Sequence, residues 1–232
     1  MRRLAKLLPG CRIWEFEMGR QEVRVGKSQI ERTKWTVCVA LMAAVIVVLA
    51  NTPLGMIQLP IIKATTVHIP VILGAILLGP LAGGILGGVF GICSIISNTM
   101  APTLLSFAFS PFLTMTGLLG VFKSLWVAFG CRVLLGVFAG FFWRWLSILH
   151  GKLIFRLAVT GFVSSFLHTL LVMVSIFFLF QQQYAAAKDV AVNAVWGLIM
   201  VTITGSGIPE AIAAAVLVAA LGRVLFQVVL NL

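Results

Sequence analysis

Apolar windows of membrane-spanning length recur along this chain, and the connections between them are short and rich in Gly, Pro, Ser and Thr. A hydrocarbon core of about 30 Å needs about 20 apolar residues of helix, so each such window commits its part of the chain to lipid. Of the 232 residues, 61% are hydrophobic and 10% are charged; a soluble domain carries about 25% charged residues. The apolar runs are continuous rather than alternating, which argues against a β-barrel. The chain therefore reads as an all-α integral membrane protein with no room for a second soluble domain.

The windows fall at 35–50, 68–78, 81–96, 124–146, 153–180 and 208–230, which predicts a six-transmembrane-helix bundle. Residues 52–67 and 97–123 read as loops. Residues 189–204 read as a short helix near the outer interface, broken from the last span by Gly205-Ser206-Gly207.

Of the 17 Lys and Arg, nine precede residue 35: Arg2, Arg3, Lys6, Arg12, Arg20, Arg24, Lys27, Arg32 and Lys34. The inner connections hold Arg144, Lys152, Arg156 and Arg223, and the outer loops only Lys63, Lys123 and Lys188. Such a bias places both termini in the cytoplasm. It divides the chain into a basic cytoplasmic arm, 1–34, and a membrane domain, 35–232. Met18 offers an alternative start within the arm. The net charge of +11 thus reports topology and contact with anionic headgroups, and no nucleic-acid partner is expected.

The second window is too short to cross the core upright. It begins at His68-Ile69-Pro70, ends at Gly79-Pro80, and leads into Gly79, Gly83, Gly87 and Gly91, spaced by four, with Gly84 and Gly88 beside them. A bare glycine stripe lets two helix backbones approach closely in lipid. It serves either packing inside the bundle or docking of another membrane protein. Ala40 and Ala44 form a similar small-residue pair in the first span.

Polar residues gather toward the outer half: Lys63, His68, Asn98, Thr99, Arg132 and Glu210. A buried arginine in a span needs a partner or a wet cavity. Arg132 either pairs with Glu210 or holds an anionic ligand group, whose carboxylate matches the paired donors of a guanidinium. Glu210 also suits the start of a helix behind Pro209. His168, among Ser164, Ser165 and Thr169, reads as an interhelical hydrogen-bonding group. Cys11, Cys38, Cys93 and Cys131 are scattered, without metal-ligand or disulfide spacing.

There is no phosphate-binding loop, no Gly-x-Ser-x-Gly elbow and no His-Glu-x-x-His. Beyond the arm the only acids are Asp189 and Glu210. Neither catalytic residues nor a metal or cofactor is expected. A lipid-directed enzyme using His168 or Glu210 lacks a second acid or histidine at the same depth.

Three stretches, 68–80, 106–112 (Ser-Phe-Ala-Phe-Ser-Pro-Phe) and 207–212 (Gly-Ile-Pro-Glu-Ala-Ile), together resemble the substrate-binding S components of energy-coupling factor (ECF) vitamin transporters. Arg132-Val133-Leu134-Leu135-Gly136 resembles that family's fourth helix. The resemblance covers roughly 35–225 and is closest to the pantothenate type. It implies capture of a vitamin from outside a prokaryotic cytoplasmic membrane. The partners it implies are a transmembrane coupling subunit and two cytoplasmic ATPases, with delivery by toppling of the S component. Ala40 and Ala44 match the family's docking motif, and 52–67 would act as an outer lid. Pantothenate, a small hydroxylated carboxylate, would suit Arg132 with Asn98, Thr99 and Thr66, and with His68, Lys63 and Glu210 nearby. Riboflavin remains an alternative, with Trp126 and Trp196 as stacking surfaces, as does a standalone carrier.

Overall fold

The computed structural model describes residues 11–52, 55–58, 63–114, 117–148 and 151–230. The chain divides into two compact units, Met1–Ala40 and Leu41–Leu232. Helix α1 (Cys11–Ala50) supplies all that is described of the first unit. In the second unit α1 ends at Asn51, whose Nδ2 donates back to the Val47 carbonyl at 2.8 Å.

The connection expected as a plain loop contains a small hairpin. Strand β1 (Met56–Gln58) pairs antiparallel with β2 (Lys63–Thr65), in the register Met56↔Thr65 and Gln58↔Lys63. The Thr66 N–H then donates to the Gly55 carbonyl at 3.2 Å, and the Thr66 carbonyl accepts from Ile69 N–H at 3.1 Å.

Five helical segments among the described residues are long and apolar enough to cross a membrane: Arg32–Ala50, Pro80–Met100, Gly117–Ile148, Leu153–Lys188 and Val192–Gln227. Helix α2 (His68–Leu78) is apolar but short, and His68 through Ile76 are buried. Its Pro70 falls in the first turn, where a missing N–H removes no helical bond. Gly79 ends α2 at φ 95°, a conformation that favours glycine, and its N–H donates to the Ala75 carbonyl at 3.0 Å. Pro80 then starts α3 (Pro80–Met100) at once.

The glycine stripe packs inside the bundle. Helix α3 lies against α6 (Cys131–Ile148) so closely that a Cβ on Gly83 would overlap the Gly136 carbonyl, and one on Gly136 would overlap that of Gly83. A Cβ on Gly87 would meet the Arg132 carbonyl, and one on Gly91 would lie 3.1 Å from that of Ala128. Of the two roles open to this stripe, the observed one is backbone contact between neighbouring helices.

Two helices run differently from their sequence pattern. The run carrying Arg132 starts earlier, with α5 (Gly117–Leu125), and passes through a π-helical turn, Trp126–Gly130, into α6. The short helix α4 (Ser106–Phe109) precedes it. At the other end, α7 (Leu153–Lys188) kinks at Phe180 (φ −134°) and closes at Asp189 (φ 52°). A 3₁₀ turn, Val192–Ala194, leads into α8 (Val195–Thr202), which continues through a second π-helical turn, Ile203–Gly207, into α9 (Ile208–Leu230). Gly205-Ser206-Gly207 therefore lies within a continuous helical run instead of breaking it. Cys131, Ile176, Phe180, Tyr184, Val195 and Ile199 are buried together in the core beside α4.

Candidate functional site

The site is built around the π-helical turn ahead of α6. Widening a helix to i→i+5 bonding displaces carbonyls from their usual donors, and in lipid each displaced group needs another partner. Arg132 supplies it. Its side chain folds back so that Nη1 donates to the carbonyls of Val127 at 3.1 Å and Ala128 at 2.7 Å. Nη2 crosses to α3 and donates to Ser94 Oγ at 2.8 Å. The rings of Phe90 and Phe109 lie 4.7 and 5.5 Å from the guanidinium carbon, within cation–π range.

From Ser94 a polar relay runs along α3 into the 101–114 connection. Asn98 Nδ2 donates to the Ser94 carbonyl at 2.9 Å and to its Oγ at 3.3 Å. Asn98 Oδ1 accepts from Ser106 Oγ at 3.1 Å, and Ser106 Oγ in turn accepts from Thr103 N–H at 2.7 Å. Thr99 and Ser110 share a hydrogen bond of 2.7 Å. Serines at the two ends of α4 thus clip it over the end of α3, and Phe109 covers Arg132.

Arg132 is 7% exposed, and no carboxylate among the described residues neutralises it. Its contacts are carbonyls, a hydroxyl and two ring faces, and its buried Nε has no hydrogen-bond partner. The alternative pairing with Glu210 does not form. Glu210 Oε1 lies 3.6 Å from His68 Nδ1 instead, and His68 Nε2 shares a 3.1 Å hydrogen bond with Ser165 Oγ on α7. This second cluster ties α2, α7 and α9 together. A buried guanidinium without a counter-charge is costly unless an anion joins it. Its Nε and Nη2 offer the parallel donors that a carboxylate accepts in pairs.

The expected residues therefore separate. Arg132, Asn98 and Thr99 meet around α3, α4 and α6, whereas His68 and Glu210 meet around α2 and α9. Thr66 is half-buried just before α2. Lys63 has its backbone in β2, and its side chain lies outside the described residues. Ala44, in the second unit, and Ala40, closing the first, are both exposed. Trp126 and Trp196 are 47% and 46% exposed, and the Trp196 ring packs edge-on against Phe177 with centroids 5.0 Å apart. His168 faces the Cys131 backbone across the α6–α7 contact. Its buried Nδ1 has no partner, and its ring centroid lies 6.3 Å from that of Phe90.

Ser94, Phe90 and Phe109 complete the Arg132 cluster and were not anticipated. The available signal was spacing: Phe90, Ser94 and Asn98 are four apart and so share one face of α3.

Comparison with known proteins matches residues 34–222 to the family described as ECF transporter, substrate-specific component. The pantothenic acid transporter PanT of Lactococcus lactis subsp. cremoris (strain MG1363) is 34% identical over 161 residues, which cover 66% of this chain and 80% of the relative.

Proposed function

Because the chain belongs to the family of ECF transporter substrate-specific components, we propose that this multi-pass membrane protein captures pantothenate from outside and hands it to an ECF module. The observation that carries the ligand assignment is the buried Arg132 guanidinium, uncompensated by any carboxylate among the described residues and with Nε free to donate. In this reading the pantothenate carboxylate takes the Nε–Nη2 edge, displacing Ser94 Oγ as the Nη2 acceptor. Asn98, Thr99 and Ser106 then meet the hydroxyl and amide groups of the ligand. His68 and Glu210 pair with each other and not with the carboxylate.

Admission requires α4 to lift, because Phe109 covers Arg132 and Ser106 and Ser110 tie the segment to Asn98 and Thr99. The 52–67 connection serves as a second part of the lid. Both termini lie in the cytoplasm, the short α2 completes a six-helix bundle, and Ala40 and Ala44 are the contacts to a transmembrane coupling subunit. The two ATPases of that module hydrolyse ATP, and this chain topples to release ligand inward. The identity to a pantothenic acid transporter favours pantothenate over riboflavin. The half-exposed Trp126 and Trp196 also offer a flavin no enclosed stacking slot.

The test is titration calorimetry of the purified chain in detergent against a vitamin panel. Pantothenate should bind alone among the panel, with Arg132→Ala abolishing binding and Lys63→Ala retaining it. Absence of pantothenate binding, or equal affinities of the two variants, would overturn the reading.

A further inference from the structure

Helices α6 and α7 part to leave a cavity of about 410 Å³, lined by Leu134, Leu135, Phe138, Ser164, Leu167 and His168 with Val137, Phe141 and Leu171. None of the residues assigned to the vitamin lines it. Its volume falls in the range of small-molecule sites, about 300–1,000 Å³, which are typically apolar with a few placed polar groups. Its lining spans 134–141 on one helix and 164–171 on the other, a length of about 10 Å at the helical rise, so it is elongated along the helix axes. Leu134, Phe141 and Leu167 at its rim are 41%, 58% and 37% exposed. They stand on two helices long and apolar enough to cross a membrane, so the mouth opens on acyl chains.

The floor is different. Ser164 and His168 are four residues apart and so share one face of α7. Ser164 is fully buried. Its Oγ and the His168 Nδ1 are both buried without a hydrogen-bond partner. Polar atoms left unpaired in hydrocarbon are costly, and their neighbours in the cavity wall are all apolar. No Lys, Arg, Asp or Glu lines the space, so an ionised group entering it would lose its hydration without compensation.

We propose that this groove is a binding site for a neutral, long-chain amphiphile of the bilayer, its chain lying between α6 and α7 and its single hydroxyl bridging Ser164 Oγ and His168 Nδ1. This assignment uses neither Arg132 nor its hydrogen-bond partners, and His168 meets that cluster only through the Phe90 ring.

The test is photolabelling of the full chain in phosphatidylcholine vesicles with a diazirine-bearing long-chain alcohol and with the matching diazirine alkane. Peptides covering 134–141 and 164–171 should be labelled several-fold more by the alcohol, and excess unlabelled alcohol should compete. The double variant Ser164→Ala/His168→Phe keeps the shape and removes the anchors. It should bring alcohol labelling down to the alkane level. Leu167→Trp, which fills the mouth, should lower both, with a monodisperse gel-filtration profile confirming the fold of each variant. Equal labelling by alcohol and alkane in the parent chain, or alcohol labelling that survives the double variant, would overturn the proposal. The groove would then be ordinary lipid contact whose polar floor is met by water.

Discussion

Gly136→Ala separates close packing from ordinary helix propensity. Alanine gains about 1 kcal/mol over glycine within a helix. At Gly136, however, the new Cβ overlaps the Gly83 carbonyl and lies 3.0 Å from the Gly83 Cα. The obstacle is backbone, so no side chain can swing aside, and α3 and α6 must move apart. Overpacking costs about 1–3 kcal/mol, and with rigid neighbours the upper value applies. The net loss is then about 2 kcal/mol, or about 4–8 °C in Tm for a chain of this size. Gly88 is the internal control, because its Cβ would meet the Phe129 ring edge at 3.4 Å, an ordinary contact. Gly88→Ala should therefore raise Tm by about 2–4 °C. Both are read from tryptophan fluorescence during heating in detergent. Arg132 sits one turn from Gly136 on the same face of α6, so separating the helices also stretches its 2.8 Å bond to Ser94, and pantothenate affinity should fall with stability. Shifts of the same sign in the two variants would refute the packing account.

Other substitutions probe the polar clusters. Arg132→Lys keeps the charge but loses the fork that reaches two carbonyls and Ser94, and should weaken pantothenate binding at least about tenfold by calorimetry. Ser165→Ala removes the His68 bond between α2 and α7; it should lower stability by about 0.6 kcal/mol in a thermal unfolding assay and leave affinity unchanged. Phe109→Ala uncovers Arg132 and should accelerate ligand association in stopped-flow measurements more than it changes the dissociation rate. Trp126→Ala and Trp196→Ala should leave pantothenate affinity unchanged, whereas a flavin site would lose binding.

The main helices were legible because their signals are additive along the chain. Apolar windows marked each long segment, and Gly79-Pro80 marked the turn between α2 and α3, where one residue takes a positive φ and the next lacks an N–H. Arg132 was legible as an anomaly, since a charge within an apolar run demands an account. What stayed hidden depends on neighbours remote in sequence. Ser94 resembles any small polar residue in a span until α6 brings Arg132 against it across 38 positions. The pairing of Glu210 with His68 likewise follows from how α9 docks on α2, which no local pattern encodes. The start of the Arg132 run was missed because polar Ser and Thr dot the approach to it, so 97–123 read as a loop.

The two π-helical turns explain how polar residues divide within such a bundle. Around Ile203–Gly207, Thr202, Thr204 and Ser206 donate to carbonyls one turn back, at 2.9, 2.9 and 2.7 Å. They hold the helix together ahead of Pro209, which has no N–H to offer. Their hydroxyls are consumed locally, and the helix survives a sequence that looks like a break. Around Trp126–Gly130 the nearest hydroxyl, Ser124, bonds back to Val121 ahead of the turn, and Arg132 reaches back to the carbonyls of Val127 and Ala128 within it. Unlike a hydroxyl, a guanidinium has donors to spare, so one group both repairs its helix and reaches Ser94 while Nε remains unused. A lysine would lack the planar fork, and a serine would be exhausted by the repair. The same residue type that makes the irregular turn tolerable in lipid is thus the one that leaves a donor poised for an anion, and this links the backbone irregularity to the proposed ligand site.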